Sequence, residues 1–560
     1  MTNYQFTGGT ICAPATIPGT GAISIIRVSG KESLAIADKV IDTKGVPIAE
    51  TEGYRLRYGT VFEADGSVLD NVIVSVFRAP HSYTGENSVE ISCHASRFIV
   101  NKILELLVNA GARIAAPGEF TRRAFVNGKM DLAQAEAVAD VIASQSAASH
   151  RVAMNQLKGG FSSELKVLRE KLLTMTSLLE LELDFSEEDV EFASRKELGQ
   201  LVDDSLTHIG RLTASFSRGN AIKNGVPVAI VGATNTGKST LLNALLGEER
   251  AIVSDIAGTT RDTIEETLNI DGILFRFIDT AGIRETDETI EKIGIDRTFK
   301  KLGEAAVVLG MTDLSRGEAA VLEDADFILS KVNEMGGVKN DGLAIDGAET
   351  GGAPLAGTDG TSPAETDGAP PAETDGTPPA ETGGASQHGH GDGQERKVVI
   401  LVNKCDVADD FYRDDNGTGC GSVNDLGENV AEIGDNKNVN HDNNIVSLIE
   451  NKYDNCKVIP ISAKTGKGLS TLTKTLGEIG SEITGSTDET LVTNVRHYEA
   501  LVRAASALDR VRAGLHIATL PPDLIAQDLR EALYHLGEIV GEITTDETLG
   551  NIFQNFCIGK

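Results

Sequence analysis

Residues Gly232-Ala-Thr-Asn-Thr-Gly237-Lys238-Ser239 have the spacing GxxxxGK[ST]. The apolar run PVAIVG (227–232) leads into them and TLLNALLG follows. Strand, loop and helix therefore come in the order a phosphate-binding loop needs. Glycines let backbone N–H groups approach phosphate oxygens, and the helix N-terminus adds favourable dipole charge. Lys238 is expected on the β- and γ-phosphates and Ser239 on Mg²⁺.

Four further elements occur in chain order. Gly258-Thr259-Thr260-Arg261-Asp262 offers the Thr260 hydroxyl to Mg²⁺ and the γ-phosphate. Asp279-Thr280-Ala281-Gly282 follows an apolar run; its Asp can bind Mg²⁺ through water and its Gly can read the γ-phosphate. Asn403-Lys404-Cys405-Asp406 follows another such run. The Asp406 carboxylate can accept from guanine N1–H and the 2-amino group, which adenine cannot match. Ser462-Ala463-Lys464 suits a guanine loop. Each motif alone is an ordinary turn; in this order, after these strands, they describe a GTPase. Ras-type switches use a Gln to orient the attacking water, but Ile283 stands after Gly282 here. Asn235 can hold a monovalent cation near the β/γ bridge, and Glu285, Asp287, Glu288 and Glu291 form a carboxylate-rich segment. By spacing alone, those acids better suit a solvated helix face.

The elements that must position these residues have two textures. Runs PVAIVG (227–232), LFRFID (274–279), AAVVLGM (305–311), KVVILVN (397–403) and KVIPIS (457–462) are short and apolar. Separated by helical segments, they predict a doubly wound α/β domain. On either side the period is helical: Leu165, Leu168, Leu172, Met175 and Leu179, and later Leu529, Leu533 and Leu536. The α/β domain is thus read as inserted in a helical one. Residues 1–125 alternate strand runs (22–30, 68–77, 88–95) with helices near Glu32–Ile41 and Phe98–Ala110, an α+β pattern.

At 560 residues the chain exceeds one hydrophobic core. No run approaches the roughly 18 apolar residues of a membrane helix, and no secretory signal is read at the N-terminus. The six cysteines lack CxxC spacing, which suits reduced thiols and a cytoplasmic location. The net charge is −32, yet residues 341–395 carry −11 and 405–456 carry −9, leaving −12 on the other 453 residues. The acidity is local and does not exclude an RNA partner. The first acidic tract holds an eight-residue repeat, PAETDGAP, PAETDGTP, PAETGGAS (363–386). Such composition cannot offset its ordering entropy and reads as an insertion; 409–455 reads as a second one. His388, His390 and His441 lie in these tracts and read as solvated.

Three blocks carry a family resemblance: ATIPGTGAISIIRVSG (15–30), PGEFTRRAFVNGKMDLAQAEAVADVI (117–142) and FCIGK (556–560). With the GTPase motifs, they resemble the bacterial and organellar tRNA-modification GTPases of the MnmE/TrmE family, over nearly the whole chain outside the insertions. The resemblance implies a folate-binding, dimer-forming N-terminal domain (1–127) and a discontinuous helical domain (128–222 and 486–560). Between its parts it implies a Ras-like G domain (223–485) with insertions at about 338–395 and 409–455. It implies nucleotide contacts from Asn235, Thr236, Gly237, Lys238, Ser239, Thr240, Ser254, Asp255, Ile256, Ala257, Gly258, Thr259 and Thr260, besides the later motifs. It implies K⁺ on Asn235, Ser254, Ile256 and Thr259, Mg²⁺ on Ser239 and Thr260, and Glu291 as the water-orienting group. A tetrahydrofolate one-carbon donor would meet Arg27, Glu90, Lys129 and Lys560. Cys557 matches the family's C-terminal cysteine, and reads as a catalytic or redox thiol or as a small buried residue. Partners implied are a second copy, tRNA and a flavoprotein of the MnmG/GidA type carrying FAD and using NADH. The P-loop departs from the family in having Thr234, not Pro, before Asn235, and Cys93-His94-Ala95-Ser96 replaces a Gly-rich HGG turn. A GTPase switch in ribosome assembly is the alternative reading; it has no need of the folate-like block or of FCIGK.

Overall fold

The computed structural model describes residues 8–184, 194–249, 266–278, 305–334, 396–406, 442–453, 456–485, 489–516, 521–554, 556 and 559. The chain divides into two compact units. One comprises Met1–Val228, Ser239–Ala281 and Gly466–Lys560; the other comprises Ala229–Lys238 and Gly282–Thr465.

The first unit opens with a seven-stranded sheet. Its strands are β1 (Ile11–Pro14), β2 (Ile23–Ser29), β3 (Ile41–Asp42), β4 (Arg55–Phe62), β5 (Val68–Phe77), β6 (Ser88–His94) and β7 (Arg113–Ile114), ordered β3-β4-β5-β6-β2-β1-β7. All pairings are antiparallel except β1 with β7. On β5, Val72, Val74 and Val76 are buried while Asn71 and Ile73 face out, the two-residue alternation of a half-covered sheet. Helices α1 (Ser33–Val40) and α2 (Arg97–Asn109) supply Leu34, Ile36, Ile103 and Leu107 to the same core. A one-residue slip of β5 would turn its three valines to the outer face, so the core sets the register.

A helical body follows: α3 (Glu119–Val126), α4 (Leu132–Ala143), α5 (Ala147–Leu157), α6 (Gly160–Asp184), α7 (Arg195–Ala214) and α8 (Phe216–Asn224). Capping boxes start α4 (Asp131 with Gln134) and α5 (Ser146 with Ser149), satisfying N–H groups that a helix leaves unpaired. The leucine stripe of α6 packs with Leu198, Val202 and Ile209 of α7 in one core that late residues also join, among them Leu501, Leu508, Leu529 and Leu536. The two helical stretches of the sequence therefore form one body.

The nucleotide-type sheet comes next. Strands β8 (Val226–Gly232), β9 (Glu266–Ile270), β10 (Ile273–Phe277), β11 (Val307–Asp313), β12 (Lys397–Asn403) and β13 (Cys456–Pro460) run in the order β13-β12-β11-β8-β10-β9. The pairs β8–β10, β11–β12 and β12–β13 are parallel, and β9 runs antiparallel to β10. Every residue of β11 is buried, as expected of a parallel strand covered on both faces. Helix α9 (Lys238–Glu249) follows β8; α10 (Glu318–Glu334) and α11 (Asp442–Lys452) belong to the second unit, and α12 (Leu469–Thr484) to the first. Helices α13 (Val495–Leu515), α14 (Pro522–Val540) and α15 (Asp546–Phe553) come last. No helix among the described residues is long and apolar enough to cross a membrane.

One buried charge cluster ties the early and late helices. Glu136 of α4 receives Arg496 Nε at 3.0 Å and lies 2.7 Å from His497 Nε2, both on α13. Burial alone would raise the Glu136 pKa, but His497 and Arg496 outweigh it and hold the carboxyl at about 2. Because the folded value lies below the usual 4.5, this stability is complete above pH 4.5 and drains away as pH falls toward 2. Glu136→Gln is expected to lower unfolding free energy at pH 7 by about 1.5–3 kcal/mol, since Arg496 and His497 lose their charged acceptor while Arg496 keeps the Glu538 and Ile539 carbonyls. It should also flatten the acid limb of the stability–pH curve, measured by urea unfolding from pH 7 to pH 3. An unchanged acid limb would refute the assignment.

Candidate functional site

The loop after β8 has its geometry enforced by close approach. A Cβ at Gly232 would stand 2.3 Å from the Met311 carbonyl oxygen, so a side chain cannot be placed there. Asn235 takes a left-handed φ of 61° and is exposed. Gly237, at φ 98°, would bring a Cβ within 2.5 Å of Asn403 Nδ2. Thr236 Oγ1 donates to the Ala233 carbonyl at 2.9 Å. Lys238 curls over its own loop, with Nζ donating to Gly232 O at 2.9 Å and Ala233 O at 2.7 Å. Burial pushes the Lys238 ammonium pKa down. Ser239 and Thr240 open α9 and are exposed. An exposed hydroxyl beside the loop lysine fits a Mg²⁺ ligand, and the exposed Asn235 amide fits a monovalent-cation ligand.

The loops that follow β12 and β13 meet this loop through one side chain. Asn403, buried at the end of β12, donates from Nδ2 to the Thr236 carbonyl at 2.6 Å. Its Oδ1 accepts from Ala463 N–H at 3.0 Å. Ser462 Oγ accepts from Thr465 N–H at 3.2 Å and braces the same turn, while Lys464 is exposed. Strand register sets Asp313 of β11 opposite Asn403. Lys404, at φ 66°, donates from Nζ to Asp313 Oδ2 at 2.6 Å. Asp313 is buried, which would raise its pKa, but its bonds to Lys404 and Ser315 hold it below the usual range. Asp406 is half-buried beyond this pair. The structure thus brings Thr236, Gly237, Lys238, Asn403, Lys404, Ser462 and Ala463 into one cluster at the carboxyl ends of parallel strands, where such sheets bind ligands. Ser254, Asp255, Ile256, Ala257, Gly258, Thr259, Thr260, Asp279, Thr280, Ala281, Gly282 and Glu291 lie outside the described residues.

A second candidate site lies on the N-terminal sheet. Arg27 of β2 and Glu90 of β6 are register partners, joined by Arg27 Nε to Glu90 Oε1 at 2.9 Å. The guanidinium lies 5.1 Å from the Tyr83 ring centre and 5.6 Å from that of Phe120. It also donates to the carbonyl of Gly559 at 3.3 Å. Gly559 has φ 100°, and a Cβ there would overlap the Pro14 carbonyl oxygen at 2.0 Å. Gly559 therefore sits at the end of β1 in a position that only glycine fits. Lys129 donates to the Pro80 carbonyl at 3.0 Å, anchoring the loop that carries Tyr83. A carboxylate–guanidinium pair walled by aromatic rings fits a flat, polar heterocycle such as a pterin. Cys557 and Lys560 lie outside the described residues.

Sequence reasoning missed Asp313, Tyr83 and Phe120. Asp313 lies two residues beyond the apolar run 305–311, and that position is its only local signal. Tyr83 sits in the turn-rich segment PHSYTGE (80–86), and Phe120 is one apolar residue within the block 117–142. Asp313→Asn is expected to raise the KM for GTP about fivefold, with kcat changed less than twofold. The half-exposed Lys404 discounts the value of a charged hydrogen bond to about 1 kcal/mol. Steady-state GTP turnover checks this; a fall in kcat at constant KM would contradict it.

Comparison with known proteins identifies the family. A family model described as the MnmE helical domain matches residues 132–557, and one described as the GTP-binding protein TrmE N-terminus matches residues 10–129. The tRNA modification GTPase MnmE of Parabacteroides distasonis is 44% identical over 554 residues, covering 98% of this chain and 100% of that protein. Its counterpart in Bacteroides thetaiotaomicron is 43% identical, with 98% and 99% covered. Among solved structures, Aquifex aeolicus Era aligns at 22% identity and TM-score 0.25, over 50% of this chain and 66% of that one. The FeoB G-domain of Methanococcus jannaschii aligns at 18% and 0.22, over 46% and 98%. These two scores are too low to add to the assignment. The family models and the near-full-length relatives establish it: this chain belongs to the MnmE/TrmE family of tRNA modification GTPases.

Proposed function

We propose that this chain hydrolyses GTP to drive addition of an aminomethyl-type group, ultimately carboxymethylaminomethyl, at C5 of the tRNA wobble uridine. It would work with an FAD-binding partner of the MnmG/GidA type, which handles the NADH-dependent redox steps. The one-carbon unit would come from a tetrahydrofolate derivative. The observation that carries the reading is the bond from Arg27, paired with Glu90, to the Gly559 carbonyl. It joins the N-terminal sheet to the far end of the sequence, beside an aromatic-walled polar pair that a GTPase switch alone does not need.

In GTP hydrolysis, water attacks the γ-phosphorus and the bond to the β/γ-bridging oxygen breaks, giving GDP and phosphate. Lys238 would leave its loop carbonyls for the β- and γ-phosphate oxygens. Asp406 would accept from the guanine edge, with Asn403 holding the base loop against the phosphate loop. Ser239 and Thr260 would hold Mg²⁺, while Asn235, with Ser254, Ile256 and Thr259, would hold K⁺. When bound, these ions supply positive charge against the charge developing on the phosphates. Glu291 would orient the attacking water. Arg27, Glu90, Lys129 and Lys560 would orient the folate.

Dimer formation through the N-terminal sheet is part of the proposal. Leu56, Tyr58 and Ile73 are exposed at 68%, 67% and 47%. Tyr58 and Ile73 are cross-strand partners. Such a row on the face opposite the core suits a second copy better than water.

Purified chain, flavoprotein partner, folate donor, GTP and K⁺ are expected to convert unmodified substrate tRNA, read by nucleoside mass spectrometry. Lys238→Ala should cut GTP turnover at least about 100-fold, the scale of losing one transition-state donor, and abolish the modified nucleoside. Unmodified tRNA in the complete mixture would remove the reading's main support and turn attention to ribosome assembly.

A further inference from the structure

Helix α5 has two faces. Ser149, Val152, Ala153 and Gln156 are buried against the helical body, whereas His150, Arg151 and Lys158 are exposed. With Met154, these three form one stripe at three- and four-residue steps, the outer face of a single helix. The stripe is one wall of a groove of about 910 Å³. The α4–α5 corner and Asn269 of β9 line its other sides, and Asn269 Nδ2 donates to the Gln145 carbonyl at 3.0 Å. Among the described residues no carboxylate belongs to the lining, which holds His150, Arg151, Lys158 and the three amides Gln145, Asn155 and Asn269. In a chain of net charge −32 that is an unusual local balance. The α5 N-terminus also opens into this groove at Ser146, adding positive potential there.

We propose that this groove seats the phosphodiester backbone of RNA, with Arg151 and Lys158 neutralising phosphates. The assignment rests on the tRNA reading above and names the surface that meets it. A groove that presents a guanidinium, an ammonium and three amides suits backbone contact, which orients an RNA without reading its sequence. Charge complementarity selects a polyanion over an acid-poor protein surface. Its wall includes β9, which in the sequence follows the segment bearing Thr260, so RNA seated here would touch the strand next to the nucleotide loop.

The test is tRNA binding by the full chain, followed by fluorescence anisotropy at several salt concentrations. Arg151→Gln with Lys158→Gln keeps two good helix formers at these positions. The double variant is expected to bind unmodified tRNA about tenfold or more weakly. Its slope of log K against log salt should fall in magnitude by about 2, near one for each phosphate left unneutralised. RNA-free GTP turnover and far-UV circular dichroism should match the parent. If the parent binds and modifies tRNA while the double variant keeps parental affinity and slope, this groove assignment is overturned and the tRNA reading stands. Loss of flavoprotein recruitment with tRNA binding intact would likewise overturn it, in favour of a protein groove. If the parent itself neither binds nor modifies tRNA, both fall.

Discussion

The carboxamide of Asn403 is the contact on which the candidate nucleotide site depends. It is buried, donates to the loop after β8 at Thr236 and accepts from the loop after β13 at Ala463. Three motifs separated by long stretches of chain are thereby held by one side chain. A buried amide with either partner removed costs about 1–3 kcal/mol, so the arrangement resists drift. It also explains a glycine. Position 237 must lack a Cβ because the Asn403 amide occupies that space. Register explains the rest: pairing β11 with β12 brings Asp313 beside Lys404, and the ion pair fixes a residue of the same loop as Asp406.

A comparable closure joins early and late parts of the sequence. Gly559 is pinned over Pro14 and bonded to Arg27, so late residues complete a cluster begun by the first strands. The helical body makes this possible. Its core takes leucines from α6 and α7 and from α13 and α14, which flank the nucleotide fold in sequence. The Glu136–Arg496–His497 cluster joins the same two stretches with charge. The nucleotide fold is thus threaded into a chain whose flanking parts form one body.

Much of this was legible in the residues. Strands β5 and β12 occur where their apolar runs predict, since both are long enough to show period or continuous burial. Helices α1 and α2 fall within a residue or two of their expected bounds. Strands β1, β4 and β9 leave no such mark. Ile11–Pro14 is too short, Arg55–Phe62 opens with exposed Arg and Leu, and Glu266–Ile270 is mostly polar. Their pairing partners, not their own composition, make them strands. The GxxxxGK[ST] and NKxD spacings stand out in the sequence because they are local. Asp313, Tyr83 and Phe120 act through partners far away in sequence, and no local pattern marks such residues.

The Asn403 clip is tested most directly by the GTP dissociation constant of Asn403→Asp, measured by calorimetry. The replacement is isosteric and keeps an acceptor for Ala463, but it sets a carboxylate oxygen against the Thr236 carbonyl. Losing one buried donor and adding this repulsion predicts affinity weakened by at least about tenfold, with thermal unfolding still cooperative. GTP binding as tight as in the parent would contradict the claim that this single amide holds the phosphate and base loops together.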